Sequence, residues 1–584
     1  MPLCQNCCDS LEGILDPDNP RRLHRLPLED PSIPLHVFPL SASTDSLEAF
    51  AQLRGWLDIC LRTHERCNLE NSSGFLPSRL LKLSMNPTGK EFSLVLRDEC
   101  PPDTRYMTLS HCWGNAPAEN KLRLLSETYH TLRQGQSLGS LPRTFRDAFD
   151  IVDKLNIHYL WIDRLCIFQD SKEDWANESA AMQDVYRHSF LNVSAHGASD
   201  DEDGCFFDRD DFQTHVPWMN INIGSCQRPQ NFACRSEILY YLNDLTMGGP
   251  VVSRGWILQE RLLAPRTVHF GSKEILWECN TSNSCESFPD NLSEFDFGTP
   301  SFATRPTWKN LLGSNYLDNF FETPGQELLR DWIQVVVDYS NTRLSFSSDK
   351  LVAISGLAND MKKRLRENNM RTQKPLDDST QDSAVYLAGI WKEMLPLGLL
   401  WTMWSTRLSS RPEYRAPSWS WASVEGHITF LAFNYPQSTR LLASVDHAEV
   451  VPLRDETGEV LDGTLTMTSP IVLARLTSCK VFHRSAYSSD ILDFPYLPYR
   501  RIGDFRSRGV RWDTTEQLQE VYCLAIAWWP TRTGSRHYFV LEGLALKPVG
   551  EKFSRVGTFG FTADEIDTFE EFLQQIPKRT VTII

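Results

Sequence analysis

The sequence has little that would draw this chain to nucleic acid or into a bilayer. Lys and Arg number 59 against 75 Asp and Glu, a formal charge of −16, so the net field repels phosphate backbones and anionic lipid. Basic pairs such as Arg21/Arg22 and the run 362–364 are too short to reverse that balance and read as solvated surface. No apolar run reaches the length of a bilayer span; residues 394–403 are apolar but few, and read as a buried helix. The N-terminus has no basic segment followed by a long apolar stretch, and neither end carries a lipidation signal. The 15 cysteines are an odd number spread over 584 residues, which does not suggest a disulfide framework. The expectation is a reducing, cytoplasmic compartment, with no nucleic-acid partner and no membrane-spanning segment.

Several catalytic signatures are missing as well. There is no GxGxxG after a strand, no GxxxxGK[ST] phosphate loop, no HExxH and no GxSxG elbow, which removes support from ordinary dehydrogenase, ATPase, metalloprotease and serine-hydrolase assignments. Internal repeats and dominant low-complexity tracts are absent too. What remains is a chain of 67.0 kDa that is 41% hydrophobic with 17 tryptophans, enough to bury a substantial interior in two or three domains.

Residues 105–205 carry the most structured pattern. RYMTLSHCWG (105–114), NIHYLWIDRLCIFQD (156–170) and SFLNVSAHGASD (189–200) each read as a short apolar strand ending in polar or small residues. Helical spacing separates them. Over residues 140–155, Ser140 is placed to cap, Pro142 suits the first turn, and Phe145, Ala148, Phe149, Val152 and Leu155 share a face; over 172–188, Trp175, Met182, Val185 and Tyr186 do so. Strand, helix, strand, helix, strand predicts a parallel sheet with helices on both faces, and ligands of such sheets gather beyond the carboxyl ends of the strands. Ser110, His111 and Cys112, then Asp163 and Cys166, then His196 occupy those ends. Glu178 lies three residues after Trp175 and four before Met182, so it projects onto the apolar helix face. An inward carboxylate costs free energy unless it is hydrogen-bonded or functional. A Ser110/His111/Asp163 set, or a Cys112 or Cys166 thiolate beside His111 or His196, are weaker alternatives that rest on proximity alone.

Outside this unit the expectations are coarser. Cys60, His64 and Cys67 fall within a helical stretch, 46–67, at spacings that turn all three the same way; with Cys4 or Cys7 as a fourth ligand they would form a structural zinc site, against isolated thiols and a histidine packing against Trp56. The DDEDG turn after Ser199 lacks ion-loop spacing and reads as a solvated loop. A helix beginning near Ser253 and two strands, 266–270 and 274–278, would pack on the sheet. Helices are expected over 327–337, 350–365 and 384–395, strands over 463–476, 521–529 and 537–546, and a helix over 562–575. The domain expectation is 1–75 as a Cys/His module and linker, 76–290 as the α/β unit, 291–440 as mainly helical and 441–584 as β-rich.

RYMTLSHCWG, LPRTFRDAF (141–149), YLWIDRLCIFQD (159–170), the Trp175–Glu178–Met182–Tyr186 series and GWILQE (255–260), in this order and spacing, resemble the fungal heterokaryon-incompatibility (HET) domain family over about residues 76–280. The Trp56–Cys60–His64–Cys67 series and the stretches 386–391 and 416–422 also look like those of full-length HET proteins. The resemblance implies a TIR-like α/β core in an intracellular self/non-self recognition or defence protein that triggers incompatibility or cell death. Through distant kinship with TIR domains it implies a candidate NAD glycohydrolase, with NAD as substrate. In that reading Glu178 and Asp163 are the catalytic candidates, and Ser110, His111, Trp113, Trp161, Arg164, Gln259 and Glu260 the ligand-binding ones. Self-association into a homo-oligomer and an incompatibility or defence partner belong to the same expectation. The alternatives are a non-enzymatic HET module that recruits another protein, or a regulator within a gene cluster. His111 departs from the LSYCWG of many members, where Tyr stands.

Overall fold

The structure is a computed structural model. It describes residues 40–68, 74–87, 89–114, 117, 119, 121–209, 219–221, 230–232, 248–290, 324–371, 384–404, 408–431, 438–478, 490–493, 505–516, 518–533, 536–563, 570 and 573–584. Among the described residues no helix is long and apolar enough to cross a membrane.

In chain order the first unit contains α1 (Leu47–Thr63), α2 (Glu65–Asn68), β1 (Arg79–Asn86), β2 (Gly89–Leu96), β3 (Met107–Ser110), α3 (Tyr129–Arg133), β4 (Gln136–Ser137), α4 (Arg143–Lys154), β5 (Tyr159–Trp161), α5 (Asp163–Cys166), α6 (Lys172–Arg187) and β6 (Leu191–Ser194). A small hairpin of β7 (Met219–Ile221) and β8 (Gln230–Phe232) follows, then α7 (Gly255–Leu263), β9 (Arg266–Phe270), β10 (Ile275–Cys279) and β11 (Asn283–Cys285). Nine of these strands form one sheet in the order β11-β10-β9-β6-β3-β5-β1-β2-β4. Only β9, β6, β3 and β5 run parallel to one another. Both flanks are antiparallel, because β1/β2 and β9/β10 are joined by short turns that cannot carry a crossover. The class is α/β with a mixed sheet.

The strand order fixes where a ligand crevice would lie. From β3 the chain crosses through α4 to β5 on one side; from β5 it crosses back through α6 to β6 on the other side, and then onward to β9. Right-handed crossovers in opposite directions put α4 and α6 on opposite faces. Packing agrees: Lys154 of α4 sits over the ring of Phe50 from α1, while α6 packs against α7. The chain leaves β3 and β6 in opposite directions, so the topological switch point lies between the carboxyl ends of those two strands. Ser110 and Ser194 are the register partners there.

One expectation at this rim changes. Ser140 does not cap α4; it ends a short 3-10 turn, and Pro142 occupies the N-cap position without a side-chain bond. The free N–H groups of α4 are taken up by the acidic turn instead, Thr144 N donating to Asp201 O at 2.8 Å and Arg143 N to Glu202 Oε2 at 3.4 Å. Asp201 is buried and pairs with Arg164. The DDEDG turn is therefore a helix cap rather than a solvated loop, its negative charge complementing the helix N-terminus.

Two helices, Pro324–Ser340 and Val352–Arg371, follow, and the second lies across α6 and α7. The expected helix over 384–395 is a hairpin: Tyr386–Leu387 pairs with Ile390–Trp391 across Ala388 and Gly389, both at positive φ. Nor are residues 394–403 a helix; two 3-10 turns lead to the strand Trp401–Met403. Trp332 and Trp421 both donate their indole N–H to the Gly389 carbonyl at 2.9 Å, which demands the left-handed backbone there. At φ 101° a Cβ on Gly389 would lie 2.5 Å from the Trp421 ring nitrogen. Gly389→Ala is expected to cost about 2 kcal/mol through combined backbone strain and overpacking, read as a lower urea midpoint.

The C-terminal part forms a second nine-stranded sheet, almost wholly antiparallel, whose long strands Val460–Ser478, Glu520–Thr533 and Arg536–Val549 cover the three runs read as strands. The helix expected over 562–575 falls mostly outside the described residues, as do Cys4 and Cys7.

Candidate functional site

At the switch point β6 places a polar residue where its neighbours are apolar. Asn192 is fully buried beside β3, accepting from Thr108 Oγ1 at 2.9 Å and donating to Ser110 Oγ at 3.2 Å. The Ser110 hydroxyl then donates to Glu260 Oε2 at 2.5 Å. The Tyr186 hydroxyl also donates to Glu260. Two side chains, one from the sheet and one from α6, thus converge on one carboxyl group of α7, and Ser110, Tyr186, Asn192 and Glu260 are all buried.

Burial dominates the electrostatics here. It pushes the Glu260 carboxyl up to about 7, with Asp163 adding in the same sense and Arg254, Ser110 and Tyr186 opposing. The same cause holds His111 down at about 3, so its ring is neutral at physiological pH. A carboxyl group that can gain or lose a proton near neutrality has the property required of a general acid or base.

Asp163 forms the solvent side of the cluster. It opens α5 directly after β5, one oxygen accepting from Arg164 N at 2.7 Å and the other from Trp113 Nε1 at 3.0 Å, while His111 Nδ1 lies 3.9 Å away. Its side chain is 19% exposed and Trp113 is half-buried, so water reaches the site from this side. Arg254 spans the rim from below, donating to the His111 carbonyl. Arg164 turns away to Asp201 and stacks 4.4 Å from the Phe145 ring. Trp161 is buried against Tyr186 with ring centroids 5.7 Å apart, a core contact. Gln259 leaves the rim altogether, its oxygen accepting from Gly356 N at 2.9 Å in the second C-terminal helix.

Glu178 is buried but belongs to another set of partners. Its carboxylate lies 3.2 Å from Arg79 Nη2 and accepts from Ser78, and the same guanidinium binds Asp174 at 2.7 Å and the Cys166 carbonyl at 2.6 Å. These contacts lock α6 to β1. Burial raises the Glu178 carboxyl above its ordinary value, with Ser78 and Arg79 opposing.

Cys60, His64 and Cys67 come together at the far end of the sheet, and the group that joins them is Cys279. Two surface clefts, of about 360 Å³ beside Phe92, Leu132 and Gln136 and about 420 Å³ beside Lys82 and Tyr159, include none of the rim residues.

Residues 106–260, from the residue before β3 to Glu260 itself, match the family model described as Heterokaryon incompatibility protein (HET). The chain carries a HET domain. The match runs from Tyr106, which precedes the central strand, to Glu260, the carboxyl group on which Ser110 and Tyr186 converge. Comparisons with curated proteins and with solved structures find no match.

Sequence reasoning missed Asn192, Tyr186 and Arg254 as members of the HET rim. Asn192 was the detectable one: an amide inside the apolar run SFLNVS needs a buried partner. Arg254 carried no such signal, since its position beneath His111 depends on how α7 enters the sheet.

Proposed function

We propose that this chain is an intracellular incompatibility effector whose HET domain hydrolyses NAD at the β3/β6 switch point, with Glu260 and Asp163 in the acidic roles. The observation that carries this reading is the Ser110–Glu260 hydrogen bond at the carboxyl ends of the parallel strands, on a carboxyl group poised near neutrality. In the proposed reaction the bond from the ribose carbon to the nicotinamide nitrogen breaks, and its electron pair neutralises the positively charged ring. A water oxygen bonds to the same carbon and its proton passes to Glu260. Asp163, on the solvent side, stabilises the positive charge that develops on the ribose. Ser110 orients the carboxyl group, Trp113 offers a ring face at the entrance, and Arg254 positions the β3 end.

The full burial of the Ser110–Glu260 pair supports a second reading, a non-enzymatic HET module that recruits another component of the incompatibility response. Nicotinamide release by the full chain, assayed dilute and concentrated, separates the two. The enzyme reading expects turnover that falls at least about 100-fold in Glu260→Gln, the usual contribution of a general acid–base group, and persists in a folded Glu178→Gln. Absence of turnover at every concentration, with cell death on expression intact, favours recruitment. Loss in Glu178→Gln with retention in Glu260→Gln would return the acidic role to α6.

A further inference from the structure

We propose that Cys60, His64, Cys67 and Cys279 bind one structural zinc ion that fastens α1 and α2 to the β10/β11 edge of the sheet. Their ligand atoms all lie within 4.8 Å of one another, and three of the four residues are buried. Zinc with sulfur ligands at about 2.3 Å in a tetrahedron sets the sulfur atoms roughly 3.8 Å apart. The separations here suit that figure, with Cys279 Sγ 3.4 Å from His64 Nδ1.

The chain is shaped locally to converge on this point. α1 stops at Thr63, and His64 leaves helical geometry at φ −98° and ψ 89° before α2 resumes at Glu65. That break replaces the continuous helical face expected from the spacing and lets His64 turn inward between the two thiols. Asn68 holds the break by donating to the carbonyls of Cys60, Leu61 and His64 at 3.1, 3.3 and 2.9 Å. From the other side, Cys279 ends β10 in a tight turn whose Ser282 N–H donates to its sulfur at 3.3 Å. The Ser282 hydroxyl lies 3.4 Å from the same sulfur, and the Thr281 hydroxyl 3.6 Å from Cys67 Sγ.

Charge supplies the second argument. The Arg266 guanidinium is buried here, donating from Nε to Cys60 Sγ at 3.2 Å and from Nη2 to the Cys67 carbonyl at 2.9 Å. Zinc takes cysteine as thiolate, and three thiolates in one buried cluster would repel one another strongly without a cation among them. Arg266 and one divalent cation bring the set to neutrality, and a Cys₃His donor set favours zinc over calcium or magnesium. The site joins segments more than two hundred residues apart in sequence, so the fourth ligand is Cys279 rather than the Cys4 or Cys7 suggested by proximity along the chain.

The test is metal analysis of the full chain, expressed without added zinc and dialysed against a weak chelator. About one equivalent of zinc per chain is expected, as for closed structural sites. It should fall at least about tenfold in Cys279→Ser, which removes one of four ligands, and stay unchanged in the double variant Cys4→Ser/Cys7→Ser. Zinc-free parent protein, a disulfide among these cysteines, or full zinc content in Cys279→Ser would overturn the proposal. Should Cys279→Ser not fold, X-ray absorption on the Cys4→Ser/Cys7→Ser protein decides. Three sulfurs near 2.3 Å and one nitrogen near 2.0 Å, about the usual zinc distances, support the site, and any other shell refutes it.

Discussion

Glu260→Gln is expected to be more resistant to urea than the parent at pH 8 and equally resistant at pH 4. The Glu260 carboxyl group sits at about 7 in the folded chain against 4.5 as its ordinary value. Below the lower value both folded and unfolded chains hold the proton, so the group makes no difference to their balance. Between the two values the folded chain keeps a proton that the unfolded chain releases, and stability contributed by the protonated form is lost progressively as pH rises. Above about 7 the folded chain must carry a buried carboxylate, and the accumulated loss levels off. At about 1.4 kcal/mol for each unit of displacement, the full effect is about 3 kcal/mol. Glutamine keeps the shape and still accepts from Ser110 without the charge, so the gap between variant and parent should open across that window. Urea midpoints at matched pH values read it directly. A gap that stays constant with pH would mean that Glu260 titrates in the folded chain at its unfolded value, and the acid–base role near neutrality would go with it.

The same substitution is expected to remove activity while raising stability above neutral pH, and that pair of signs is informative. A carboxylate retained for packing loses stability when replaced; one retained for chemistry holds the fold below its optimum. Glu178 offers the contrast. Its bonds to Arg79 and Ser78 serve the seam between α6 and β1, so its replacement acts on the fold.

That contrast also marks how far the sequence could be read. The strands over 105–200 and the helices between them were legible because each crossover repeats an apolar period, and the strand-end positions of Ser110 and Asp163 followed from it. The inward direction of Glu178 was legible from its place between Trp175 and Met182, but its partner was not: Arg79 comes from a strand that joins the sheet only through β5. Glu260 was named as a ligand-binding candidate through the resemblance alone, and helical spacing gave no sign of an acidic role for it. It lies in a nine-residue helix that also buries Gly255, Ile257, Gln259 and Leu263, so no single face stands out. Cys279 closes the thiol cluster from a distant hairpin, and spacing over residues 60–67 could supply only three ligands. The hairpin at 386–391 failed as a helix because the Gly389 carbonyl serves two indoles, a demand that local propensity does not register.

The largest loss of stability is expected from Asp513→Asn, far from the HET rim. Asp513 and Arg555 are both fully buried and joined by two hydrogen bonds, Nε to Oδ2 at 2.8 Å and Nη2 to Oδ1 at 3.2 Å. Arg555 also donates to the Leu399 and Trp401 carbonyls at 2.5 and 2.6 Å and lies 3.3 Å from the centre of a Trp401 ring. One guanidinium therefore ties the C-terminal sheet to the segment before Trp401. Arginine does not shed its proton at any ordinary pH, so removing the carboxylate leaves an uncompensated buried cation, at a cost of about 3–5 kcal/mol. Arg555→Met strands the carboxylate instead and loses the two carbonyl contacts, a penalty of similar size. The double variant Asp513→Leu/Arg555→Met relieves both charges and should recover most of the loss. About 1–2 kcal/mol should remain, because the Leu399 and Trp401 carbonyls are left without that donor. Urea denaturation of the parent, Asp513→Asn, Arg555→Met and the double variant measures these differences. If the double variant is no more stable than either single one, the pair is not held together chiefly by charge, and the backbone contacts of Arg555 fasten this seam.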